Sequence, residues 1–512
     1  MKKHILTALL IMMTSGFLMS FAAANHVPKN LKSPSGTETS SSVVLIWDKP
    51  DNYNVVAEYQ IFKDGKIAGS SKITNYTIRN LKPNTAYSFT VKSKDTKGRL
   101  SGSGNEIKIS TRNTGKTYNI LNYGAIGDSL TLNTLAIQKA IDACTPGGTV
   151  VIPAGIFLSG ALFLKSDMTL YIEKNGVLKG SANIEDYLPM ISNRFEGWER
   201  ESFASLITAG KLDKSGKINV TNLAIRGEGK IYGGGSALGN AMKAAKGKRA
   251  RGRLICLMNC SNVDIQGLAI ENSPCWTLQY TYCSNVTCHD LNIKSEAPNG
   301  DGIDPDSSVD SYIFNCIFHT SDDCIAIKSG KNPEGNIIGK PTENLWVTNC
   351  DFAEGISVSV GSEMSGGVRN ILIRDCKLGN LSNGLQIKST KERGGFVENL
   401  VVKDCELQLI KIVTSINFNM DGDAAPDMPV FRNIEFINID MTKADINKPV
   451  IFIEGFDDPE HYTKNVILKN IVLPENSKVY IRNCSDFIFD NVLSATKQKP
   501  EYEIISSTSI KH

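Results

Sequence analysis

Leu345-Trp346-Val347-Thr348-Asn349-Cys350-Asp351-Phe352 decides the fold. An apolar alternating run meets Asn, then a small residue, then a second apolar segment. The pattern returns as Ile371-Leu372-Ile373-Arg374-Asp375-Cys376-Lys377-Leu378 and as Leu400-Val401-Val402-Lys403-Asp404-Cys405-Glu406-Leu407. Variants precede it (Asn219 to Ile225, Asn262 to Ile265) and follow it (Ile434 to Ile439, Val466 to Ile471). A β-rich repeat of roughly 22 to 34 residues, broken by Asn and Gly turns, is the signature of a parallel β-helix. Asn suits the left-handed turn geometry and can bond its counterpart one turn away. The Leu spacing does not fit a leucine-rich repeat.

The repeat begins near Thr149. Before it, Asn133 to Ala143 carries Leu135, Ile137, Ala140 and Ile141 at helical spacing, so a short amphipathic helix is expected to cover the open end of the solenoid. Val27 to Arg112 reads differently. Val43-Val44-Leu45-Ile46-Trp47, Tyr59-Gln60-Ile61-Phe62, Tyr76-Thr77-Ile78 and Tyr87-Ser88-Phe89-Thr90-Val91 are short alternating strands between turn signals, which predicts a β-sandwich. The Trp47, Tyr59, Leu81, Tyr87 pattern resembles a fibronectin type III domain. It holds no catalytic constellation; a spacer, a packing partner or a carbohydrate contact are its open roles. Asn113 to Lys116 is the expected linker, which gives a sandwich over 27–112 and a solenoid over 117–512.

Lys2 and Lys3, the apolar run Ile5 to Phe21 and Ala22-Ala23-Ala24 read as an export signal over 1–24, so a periplasmic or secreted protein is expected, without a membrane span. The net charge of +3 is too mild for nucleic-acid binding. The one basic run, Lys243 to Arg253, reads as a solvated loop or as a hold on an anionic polymer. Of twelve cysteines, Cys260, Cys288, Cys316, Cys350, Cys376 and Cys405 recur with the repeat, which predicts a buried thiol ladder; some disulfides remain an alternative. No cysteine or histidine pair has zinc spacing, and no metal or cofactor is expected.

Asn299-Gly300-Asp301-Gly302-Ile303-Asp304 and Thr320-Ser321-Asp322-Asp323-Cys324-Ile325 fall one turn apart. Strands on adjacent turns lie about 4.8 Å apart, so Asp301, Asp322 and Asp323 should crowd one face and raise at least one pKa. One protonated and one ionised carboxyl are what cleavage of a sugar acetal needs. Asp304 and Asp306 read as turn formers, His289 and His319 as surface or turn residues. Trp198 reads as a loop aromatic, for sugar stacking or for packing.

Asn299 to Asp306, Asp322 to Gly330 and Gly361-Ser362-Glu363-Met364-Ser365-Gly366-Gly367, with Asn122-Tyr123-Gly124-Ala125 and Gly148 to Gly155, resemble glycoside hydrolase family 28, the polygalacturonase and rhamnogalacturonase family. The resemblance spans about residues 117 to 495. It implies a right-handed parallel β-helix, no metal, and hydrolysis of pectic polysaccharide with inversion; the close turn spacing alone would have suggested retention. Carried over by motif, Asp322 would be the acid, and Asp301 and Asp323 would position and deprotonate water. Lys388 and Gln386 stand where the family has Lys and Arg for the substrate carboxylate, so the bidentate fork is gone. The family's Gly-His-Gly reads Gly355-Ile356-Ser357. Gln279 stands where related bacterial sequences often carry His. Asn299 is a further candidate substrate contact; Lys328 either pairs with a carboxylate or binds substrate, Ser362 and Glu363 line the cleft floor or serve the turn, and Arg393 contacts substrate or forms a surface ion pair.

These residues imply an exported, monomeric pectin hydrolase with α-galacturonosidic specificity, exo-acting if loops such as Asp186 to Ser205 or Gly235 to Gly252 close one end of the cleft. Rhamnogalacturonan hydrolysis, a non-catalytic carbohydrate-binding solenoid and a calcium-dependent lyase are the alternatives.

Overall fold

The computed structural model describes residues 26–415 and 422–511; the expected export signal lies outside them. The chain divides into two compact units, the larger running from Thr111 onward with two short earlier segments.

The smaller unit holds two antiparallel sheets. Lys29–Lys32, Val43–Asp48 and Asn75–Ile78 form one; Lys66–Ser71, Val56–Lys63, Ala86–Asp95 and Ile107–Ser110 form the other. Strict alternation in Ala86–Asp95 buries Tyr87, Phe89 and Val91. Trp47 meets Tyr59 edge to face, 5.4 Å between centroids.

The larger unit is a parallel β-helix, as its repeat requires. Leu345↔Ile371↔Leu400↔Ile434↔Val466↔Phe487 stack in register, each fully or nearly fully buried. Turn residues Asn344, Asn370, Asn399, Asn433 and Asn465 all have φ between 54° and 58°. Each of the last four donates its amide to the preceding one at 3.0–3.1 Å, a hydrogen-bonded ladder up the outside of the solenoid. The helix Thr134–Ala143 buries Ile137, Ala140 and Ile141. Leu135, expected on the same face, is 77 % exposed, because a residue two positions before Ile137 projects from a different side of the helix.

All twelve cysteines are free and buried. Four of the expected six form one ladder: Cys316, Cys350, Cys376 and Cys405 follow successive strands, each thiol donating to the carbonyl two residues earlier at 3.2–3.5 Å. Cys260 instead neighbours Cys283, and Cys288 replaces isoleucine in the interior row Ile265↔Cys288↔Ile313. Burial pushes the thiols of Cys350, Cys376 and Cys405 well above the ordinary range, which keeps them protonated and poorly nucleophilic.

A 12-stranded sheet carries the acids; its middle runs Leu278–Thr281, Ile303–Asp306, Ile325–Ile327, Val358–Val360, Leu385–Lys388, Ile410–Val413, Ile451–Glu454 and Lys478–Arg482. With all twelve thiols buried and unpaired, a thiol reagent should titrate few in the native protein and all twelve after unfolding without reductant. Reductant should leave Tm unchanged. Fewer than twelve titratable thiols after unfolding would contradict the ladder.

Candidate active site

Asp301 and the Asp322-Asp323 pair each lie just ahead of a strand of this sheet, and backbone bonds fix them one above the other. Gly302 N donates to Asp323 O at 3.0 Å, Thr277 N to Asp301 O at 2.8 Å, and Cys324 N to Ser357 O at 2.8 Å. Three carboxyls therefore gather on one face, as the turn spacing predicted. Each is held differently. Asp323 accepts from Lys388 Nζ at 2.8 Å on one oxygen and from the Ser357 hydroxyl on the other. Asp322 is the most exposed of the three, with Asn299 Nδ2 3.5 Å from Oδ2. Burial and then the Asp323 charge raise its pKa.

Asp301 has an unforeseen partner. Asp304, read above as a turn former, lies on the strand with no exposed surface. Lys328 Nζ stands between the two, 3.3 Å from Asp301 Oδ2 and 3.1 Å from Asp304 Oδ1. Burial, with Asp304 next, pushes Asp301 well above the usual carboxyl range, and burial pushes Asp304 up to about 6 against the pull of Lys328. Lys328 is thus the cation set between the two buried acids, 3.1 Å from Asp304 and 3.3 Å from Asp301. Burial works against the Lys328 ammonium, but Asp304, Glu363 and Asp301 outweigh it. Trp276 lies beneath, its ring centroid 3.6 Å from Nζ. Nothing in the residue type marked Asp304, but strand alternation did: Ile303 points inward, so Asp304 points to the side of the acids.

A hairpin, Ile191–Phe195 with Trp198–Ser202, covers the sheet on the N-terminal side of the acids. Arg194 bonds Asp306 Oδ1 and Ser307 Oγ, both at 2.8 Å, so Asp306 is a structural ion-pair partner and no turn former. Gln279 accepts from Arg253 at 2.8 Å and donates to Arg194 O at 3.1 Å, so this amide ties the hairpin down. Phe195 stacks on Trp276 at 4.7 Å. The basic run is solvated in part, with Lys243, Lys246 and Lys248 exposed. It ends the helix Gly235–Lys246 and straps the hairpin, with Lys248 and Arg249 both 2.6 Å from Glu196. Arg251 donates to Asn299 Oδ1 at 3.0 Å, so it orients the side chain that faces Asp322.

The candidate contacts divide. Lys388, Lys328 and Asn299 touch the acids directly. Gln386, 3 % exposed, lies in register between Ser359 and Lys411. Ser362 and Glu363 line the turn after Val358–Val360, Glu363 acting on Lys328 by charge. Arg393, expected at the substrate or in a surface ion pair, has no exposed surface, donates to Asn332 Oδ1 at 2.6 Å and braces that loop instead. Trp198 lies between Arg249 (4.6 Å) and Lys331 (4.1 Å) and donates to Asn332 O, so packing explains it. His289 is fully buried between Asp264 and Asp290, not at the surface, whereas His319 is partly exposed near Glu354.

Residues 149–484 match the family model Glycosyl hydrolases family 28, and residues 26–109 match the fibronectin type III domain. The chain is 28% identical over 552 aligned residues to an exo-poly-alpha-D-galacturonosidase of Dickeya chrysanthemi, covering 92% of this chain and 91% of that protein. The structure of a Yersinia enterocolitica family 28 exopolygalacturonase superposes with TM-score 0.85 at 26% identity, over 94% of this chain and 99% of that one. An exopolygalacturonase from Thermotoga maritima superposes with TM-score 0.62 at 26% identity, over 77% and 92%.

Lys328→Met removes the cation between two buried carboxyls. At pH 7 it should cost about 3–5 kcal/mol of stability, read as a lowered urea midpoint, where a surface pair would cost about 0–1. Asp304 titrates at about 6, above its ordinary 3.8, so ionising it weakens the folded state as pH rises between those values. The deficit should therefore shrink at pH 4–5, where the acids are neutral. A deficit independent of pH would contradict the shared-charge geometry.

Proposed function

The chain belongs to glycosyl hydrolases family 28 and is a glycoside hydrolase, and on that footing we propose that it removes galacturonate from the ends of pectic polygalacturonan by single displacement. Asp322, its pKa raised by burial and by the Asp323 charge, gives its proton to the departing glycosidic oxygen. Asp323, held by Lys388 and Ser357, takes the proton of the attacking water. Asp301, its pKa raised by burial and by Asp304, orients that water from the adjacent turn. Lys388 offers the substrate carboxylate a point charge in place of a bidentate fork. The observation that carries this reading is the one face that gathers three carboxyls and Lys388, covered on its N-terminal side by the strapped hairpin. A covered end favours attack at chain termini. Gln386 in place of Arg favours, as a second reading, a rhamnogalacturonan or pectic side-chain linkage. The reading includes export as a monomer and the division into a signal over 1–24, a sandwich over 27–112 and a catalytic solenoid over 117–512.

With polygalacturonate, the first and only early product should be monomeric galacturonate. Asp322→Asn should lower kcat by about 10²–10⁴-fold with little change in Tm. The rate should fall as pH rises through the elevated Asp322 pKa, because the acid then lacks its proton. A ladder of oligomers would overturn exo action, and full turnover by Asp322→Asn would remove the assigned acid.

A further inference from the structure

The outward-facing stripe of the acid-bearing sheet does not end at the acids. In register it continues Ala326, Ser359, Gln386, Lys411, Phe452, Tyr480. The alternate residues, Ile410 and Ile412, Ile451 and Ile453, Val479 and Ile481, have no exposed surface and fill the interior. Toward the N-terminal side the hairpin seals the stripe: Gln279 and Cys256 are fully buried. From Lys411 onward the side chains are half-exposed. Ala326, Ser359 and Gln386 are buried, so the stripe opens at Lys411, one strand beyond Lys388.

That surface carries charge without its complement. Lys411 Nζ lies 3.3 Å from Asn383 Oδ1, and among the described residues no carboxylate pairs with it. Lys448, exposed, reaches Ser382 O at 3.5 Å. Burial, then repulsion from Lys448 and Lys388, holds Lys411 below the usual lysine range, as expected of a cation crowded by cations. Next along the stripe, Phe452 and Tyr480 stack at 4.8 Å and 9° and stand off the sheet as an apolar step. A neighbouring concavity of about 500 Å³ is a poorer path for an anion, since Glu392, Glu454 and Asp457 outnumber Lys391 and Arg482 there.

We propose that Lys411, Lys448 and the Phe452–Tyr480 stack form a further binding position for an acidic sugar of the substrate chain. It lies three to five strands beyond the acids, roughly 14–24 Å at the usual spacing of neighbouring strands. The cations meet a uronate carboxylate and the rings meet the apolar face of a sugar. This position rests on the reading of the substrate as a polyuronide, and it makes the enzyme sensitive to chain length.

The test is affinity, read by calorimetric titration in the Asp322→Asn background so that turnover plays no part. Galacturonate oligomers of two and of eight units serve as probes. Lys411→Met should weaken the longer oligomer about tenfold, the scale of one charge-assisted hydrogen bond, and leave the dimer unchanged. The loss should diminish at high salt, whereas the loss in Phe452→Ala should persist. Lys469→Met, which removes a charge from a different sheet, should change neither. Equal affinity of Lys411→Met and its parent for the longer oligomer overturns the proposal, as does failure of the parent to bind it at all. Binding without hydrolysis by the wild-type enzyme would instead remove the catalytic reading and leave the binding position standing.

Discussion

The hydrogen-bonded register between successive turns is the constraint on which everything else depends. In a parallel ladder each residue faces its counterpart one strand away, and side chains alternate between interior and exterior. Ile303 opposite Ile325 and Ile325 opposite Val358 set the interior row. That row leaves Asp301 beside Asp323 and puts Asp304, Ser359 and Gln386 on the outer face. A slip of one residue would turn Ala326 inward, turn Ile325 outward and separate the acids. The Asn ladder acts against such a slip, since each amide meets its counterpart only when the turns are in register.

Charge is arranged in two regimes. Near the acids most groups are almost dry, and four carboxyls are answered by a cation, Lys388 for Asp323, Lys328 for Asp301 and Asp304, and Arg194 for Asp306, while Asp322, half-buried, faces the Asn299 amide. Such pairs hold geometry more than they add stability, because desolvation offsets much of their attraction. Further along the sheet Lys411 and Lys448 lack that answer among the described residues, and the surface opens. A polyanion drawn along the positive stretch meets the paired and orienting groups only at its end.

Repeat period, turn chemistry and the clustering of three aspartates were legible in the sequence because they depend on local pattern and on one fixed spacing. The sandwich and the solenoid were legible for the same reason. What was not legible depends on which side of a strand a residue takes and on which loop returns to cover it. Asp304 looked like one more turn aspartate until Ile303 fixed its direction. Arg393 looked like a surface contact in a Gly-rich turn, yet its guanidinium lies within the loop it supports. The pairing inside the basic run was hidden because nothing local announces that Glu196, some fifty residues earlier, comes back to Lys248 and Arg249. The six periodic cysteines looked equivalent, though only those following the strand at the same turn share a ladder.

The most direct measurement is the anomeric form of the first product, followed by proton NMR before mutarotation. In the proposed substrate the linkage is α, and under the proposed roles an acid at Asp322 with water activated by Asp323 would invert the anomeric carbon in one step. The account therefore predicts that the β signal of galacturonate grows first and the α signal follows. An α signal growing first would mean that a carboxylate attacks the sugar directly, which would contradict the roles given to the three acids.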